Sequence, residues 1–159
     1  MLKYIGLLML AAAGIFISGE YEKREKKRLF ELREFIRFTS HARHKISCFL
    51  SPKSDWLSDF KTESRELSEF LRLSENSGFE ESFEAVRDKL SLKGEAQILA
   101  RLFSSLGRDY KEGVLMLLEG AISELSCEEK RISEESEKNV KAVKVLAAAI
   151  SLGLIILLI

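Results

Sequence analysis

The chain has 159 residues, 46% of them hydrophobic, and its 25 basic residues balance 25 acidic ones. That balance leaves no basic excess of the kind a nucleic-acid surface needs. No glycine-rich phosphate loop, paired CxxC or HExxH sequence is present, which removes the commonest hydrolase and zinc chemistries.

The first element is apolar. Leu2 to Ser18 carries one charge, Lys3. A cleaved signal would need a basic start and a small-residue cleavage site that ends the apolar run. Here the run passes through Ala11-Ala-Ala13 to Ile15-Phe-Ile17, so an uncleaved anchor over residues 1–19 is expected. As a helix it is ~27 Å long, close to the ~30 Å hydrocarbon core. The last element, residues 140–159, mirrors it. Val145 to Ile159 is uncharged, and Lys141 and Lys144 lie where their stems can run along the helix to the headgroups. Two spans put both termini on one side and residues 20–139 on the other. Lys23, Arg24, Lys26, Lys27 and Arg28 follow the first span, and Lys130, Arg131, Lys138, Lys141 and Lys144 precede or open the second. Positive residues stay inside, so the middle is expected in the cytoplasm. Its thiols, Cys48 and Cys127, are then expected to be reduced.

The middle reads as all-helical. Leu29, Leu32, Phe35, Ile36, Ala42, Ile46 and Phe49 repeat at three-and-four spacing, so the first helix continues out of the anchor. Ser51-Pro52 ends it. Ser54 or Asp55 is expected to cap a second helix carrying Trp56, Leu57, Phe60, Leu67, Phe70, Leu71 and Leu73. Ser74 to Gly78 closes it, with Gly78 suited to left-handed angles. A short helix with Phe79, Phe83, Val86 and Leu90 follows, then a break at Ser91–Gly94. Glu95 to Leu106 buries Ile98, Leu99, Leu102 and Phe103 and stops at Gly107. Asp109 and Glu112 form a capping box for a last helix that has no breaker up to Ile159. Val114, Leu115, Leu117, Leu118, Ile122 and Leu125 pack its first third. Ser126 to Lys138 is polar but for Ile132 and reads as a solvated stalk that pairs with Glu20–Arg28. Glu134–Lys138 and Glu137–Lys141 have the favourable four-residue spacing. The fold class is an antiparallel helical bundle of about five helices between two terminal transmembrane helices.

Three constellations bear on function. His41, His44 and Cys48 lie three and four residues apart and share one helix face, opposite the apolar stripe. That face suits a metal or a solvated, partner-facing surface. The carboxylates sit in charge-paired helix faces and read as solvated surface, not as general acids. Arg108 and Asp109 occupy a sharp turn at the membrane-distal end of the domain. Arg108 offers a planar donor fork to an acidic patch, and Lys111, Glu112 and Arg101 extend that candidate partner-binding surface. An alternative surface is the face of Arg37, His41 and His44. No catalytic or cofactor residues are assigned.

Met1-Leu-Lys-Tyr-Ile-Gly6, Ile46-Ser-Cys-Phe-Leu-Ser-Pro52, Leu106-Gly-Arg-Asp109, Lys138-Asn-Val-Lys141 and Gly153-Leu-Ile-Ile-Leu-Leu-Ile159 stand in an order that resembles stage III sporulation protein AB of endospore-forming bacteria. The resemblance covers the whole chain. It implies a non-enzymatic protein in the mother-cell membrane facing the forespore, part of the channel complex joining the two cells. It also implies a soluble part similar to the cytoplasmic domain of type II secretion F proteins. The implied partners are other membrane channel proteins, the lipid bilayer and a cytoplasmic secretion-type ATPase, stage III sporulation protein AA. Two other readings stay open: a structural tether that oligomerises through its stalk, and a membrane-bound metal protein using His41, His44 and Cys48.

Overall fold

A computed structural model of the chain describes residues 2–49, 57–106 and 111–158, with the side chains at 2–15, 17, 49, 111, 151 and 154–158 outside that description. Five helices follow in order: α1 Leu2–Phe49, α2 Arg65–Asn76, α3 Phe79–Arg87, α4 Glu95–Ser105 and α5 Lys111–Leu158. No strand occurs among the described residues. The chain forms two compact units, residues 28–130 and a second made of residues 1–27 with 131–159. Both long helices contribute to both units.

The core of unit 28–130 is built from phenylalanine. Phe35 and Phe38 of α1, Phe70 of α2, Phe83 of α3 and Phe103 of α4 are each at most 1% exposed. Phe70 and Phe103 lie 4.6 Å apart between ring centroids. Phe35 meets Phe83 edge-on at 6.1 Å, and Phe38 meets Phe70 edge-on at 6.0 Å. Edge-on and tilted pairs set the positive ring rim against a negative face, which adds directional preference to plain burial. Leu32, Leu67, Leu99, Leu118 and Leu125 fill the space around them. α2 packs on α3 and α3 on α4. α1 and α5 run antiparallel in this unit, since Arg33 pairs with Glu129 at 2.7 Å and Arg43 with Glu119 at 2.6 Å.

The α3 and α4 patterns match the spacing closely. Phe79, Phe83, Val86 and Leu90 are buried, as are Leu99, Leu102 and Phe103. Ile98, expected inside with them, is half-buried and lines a surface groove. Three further details differ. The second helix starts at Arg65, not near Trp56. Leu57 and Ser58 are helical, but residues 59–64 run without regular helix. Ser64 is the cap: its backbone is extended and its Oγ accepts the Leu67 N–H at 3.2 Å. Gly78 is not left-handed. It has φ −67° and ψ 154° and serves as the N-cap residue of α3. Phe38 and Thr39 are buried beside the stripe read on α1. The expected end at Ser51-Pro52, the caps at Ser54 or Asp55, Trp56, the stop at Gly107 and the Asp109–Glu112 box fall wholly or partly outside the described residues.

In the unit of the chain ends, Glu22 of α1 accepts from Lys144 of α5 at 2.7 Å and from Lys26 at 2.8 Å. Those two lysines pull the Glu22 carboxyl down to about 2, mainly through their hydrogen bonds. Ile132 is buried, and Arg131 pairs with Glu135 one turn on at 3.3 Å. Among the described residues no helix is long and apolar enough to cross a membrane. Large apolar side chains are nonetheless exposed here: Phe16, Val145, Leu146, Ile150 and Leu152.

Candidate functional site

Three buried carboxylates tie α1 to its surroundings in unit 28–130. Glu31 accepts the Ser91 N–H at 2.6 Å. Glu34 accepts from the Thr62 hydroxyl at 2.5 Å and pairs with Arg37. Glu95, 1% exposed, accepts from Arg28 at 2.5 Å and from the Lys93 N–H at 2.8 Å. Burial pushes the Glu95 carboxyl up. The hydrogen bonds from Arg28, the Lys93 N–H and its own N–H outweigh that and hold it below the usual value. Each carboxylate is engaged by donors, and the trio braces the loops 57–64 and 91–94.

Two grooves open on the surface of this unit. One, of ≈ 520 Å³, lies between α4 and α5 and is lined by Ile98, Arg101, Leu102, Gly113, Met116, Leu117, Gly120, Ala121 and Glu124. Met116 is 71% exposed on its wall. Arg101 and Glu124 face each other at 3.6 Å, both largely in water. The other, of ≈ 530 Å³, is lined by Ile36, Arg37, Ser40, His41, Asp59, Phe60 and Lys61.

Of the residues assigned to a partner surface, Arg101 and Glu112 are exposed, and Arg101 lines the α4–α5 groove. Lys111 is the first residue of α5, its side chain outside the description. Arg108 and Asp109 lie outside the described residues. The face of Arg37 and His41 is the second groove, but it is not open water. Phe60 covers it, with its ring 5.4 Å from that of His41 and 5.6 Å from the Arg37 guanidinium carbon. His41 is half-buried, and its Nε2 is buried without a hydrogen-bond partner. Burial first, then the nearby Lys45, lowers its pKa. His44 and Cys48 are exposed, with Sγ 3.6 Å from Nδ1. His41 is held by Phe60, so the three do not form one open ligand face. Among the described residues no group of three or more His, Cys, Asp or Glu is placed to hold a metal.

Gly113 and Gly120 read in the sequence only as local weak points of the last helix, and the Met116 wall is not legible there. Gly113, Met116 and Gly120 stand at helical spacing, but the opposite wall comes from α4. No curated protein and no solved structure matches the chain. The family model of stage III sporulation protein AB matches residues 3–159. That match runs over both long helices and the whole packed unit, and the chain therefore belongs to the stage III sporulation protein AB family, proteins of the third stage of sporulation.

Proposed function

We propose that this protein is a membrane-anchored platform of a sporulation-specific, secretion-like channel complex, where it couples a cytoplasmic ATPase to membrane components. The observation that carries the anchoring is the surface of the unit of chain ends. Phe16, Val145, Leu146, Ile150 and Leu152 are between 55% and 70% exposed. Water penalises such a concentration, and lipid tails accept it. The uncharged run from Val145 and the run from Ile5 to Ile17 support a span at each end, placed in the mother-cell membrane facing the forespore. The lysines and arginines at both inner flanks support a cytoplasmic domain over residues 20–139. The adaptor role follows from the family resemblance, and the carboxylates Glu31, Glu34 and Glu95, tied up in bracing contacts, are consistent with it.

In this reading the motor contact centres on Arg108 and Asp109, with Lys111, Glu112 and Arg101 around them. The ATPase is of the secretion type, stage III sporulation protein AA by the resemblance. The test is copurification of that ATPase with the full chain. Arg108→Glu is expected to weaken capture without moving the melting temperature, and Arg37→Glu to leave it intact. The reverse pattern would move the contact to the Arg37–His41 groove. A sporulation block on deleting either terminal helix, with both charge reversals silent, would favour the tether. Zinc in the purified full chain, lost on His44→Ala, would favour the metal protein.

A further inference from the structure

We propose that the α4–α5 groove is the contact between two copies of this chain. Three observations on the groove converge. Its wall exposes Met116, one of two large apolar side chains, with Phe30, exposed in unit 28–130 among the described residues. Gly113 and Gly120 stand two turns apart on the same wall. A Cβ at Gly120 would meet nothing within 4 Å, so the protomer's own packing gives no reason for glycine there. Glycine weakens a helix interior, and what it supplies in return is room for another backbone to come close.

The charges select the occupant. Arg101 and Glu124 line the groove with opposite signs, at 3.6 Å and with 68% and 54% of their side chains exposed. A partner of one sign would meet a like charge at one of them. A second copy related by a two-fold axis presents both. In a contact of that symmetry residue i touches j and j touches i. With the axis beside Gly120, Arg101 of each copy reaches Glu124 of the other, and Met116 is taken out of water on both. Arg101 then serves this contact instead of the motor footprint proposed above, which keeps Arg108, Asp109, Lys111 and Glu112. The dimer does not rest on the ATPase reading, because it forms from this chain alone.

The test is sedimentation of the full chain in detergent over a range of concentrations. A dimer is expected. Arg101→Glu and Glu124→Arg should each weaken it at least ~tenfold, as like charges meet across the axis, and the combined reversal should restore it. Gly120→Leu should give monomer with an unchanged or raised melting temperature, which separates lost docking from lost folding. In a Cys48→Ser, Cys127→Ser background, Gly120→Cys should cross-link to its own copy under mild oxidation. A monomer at every concentration overturns the proposal. So does a dimer that ignores Gly120→Leu and both single reversals, since the terminal helices would then be holding it.

Discussion

Glu95 is a residue on which the packed unit depends. It is buried, it opens α4, and Arg28 supplies its counter-charge from 67 positions away. Removing one partner of a buried pair leaves an uncompensated charge and costs ~3 kcal/mol or more. Arg28→Ala is therefore expected to lower the urea stability of the protein by about that amount at pH 7. The sign with pH follows from the depressed Glu95 value. Its stabilisation is full above the unfolded value and is lost as pH falls through the folded one. The gap between parent and variant should shrink at pH 3, and an unchanged gap would assign the loss to packing instead. Glu22 gives a second readout at this scale. With its carboxyl held at about 2 by Lys144 and Lys26, the Glu22 side-chain carbon should still report an ionised group at pH 3.5 by NMR. Lys144→Gln should return its titration toward the usual range, and salt should do so in part, because the pair is in water.

At the scale of elements, what was legible followed from periodicity. α3 and α4 each bury residues that their sequence spacing marks, because a short amphipathic helix has one stripe and one place to put it. The start of α2 was not legible. Lys61-Thr-Glu-Ser64 contains neither glycine nor proline, and Trp56, Leu57 and Phe60 extend an apparent stripe upstream. The cap is a hydroxyl with no acidic partner three residues on, since Leu67 stands there. Ser64→Ala is expected to cost ~1 kcal/mol, the usual value of such a cap, measured by thermal unfolding. Burial of Glu31 and Glu34 was hidden too, because their donors, Ser91 and Thr62, belong to loops distant in sequence. The grooves were invisible for the same reason: each is walled by segments that only the fold brings together. Leu118 of α5, which its helical spacing marks as core, is 1% exposed. Leu118→Asp should destabilise by several kcal/mol, the cost of a charge without a partner inside. A variant that melts like the parent would contradict the placement of α5.

At the scale of the whole molecule, topology is the first question. Cys48 and Cys127 are free and exposed. If residues 20–139 face the cytoplasm, an impermeant maleimide should leave both untouched in intact cells. It should label both after permeabilisation with no denaturant, since the fold does not hide them. Labelling from outside would reverse the orientation. The pairing of the two long helices carries a consequence for biosynthesis. Arg33 finds Glu129 across 96 positions and Arg43 finds Glu119 across 76, and Leu118, Ala121 and Leu125 of α5 complete the core. A ribosome delivers α1 first, while α2, α3 and α4 can settle on one another through local contacts of low loop-closure cost. The α5 side of α1 has no cover until the last third of the chain emerges. A nascent chain stalled or truncated before residue 111 leaves that side bare, a state open to aggregation and proteolysis. Chains cut before residue 111 are therefore expected to be degraded faster than the full chain, which a pulse-chase of the two would measure.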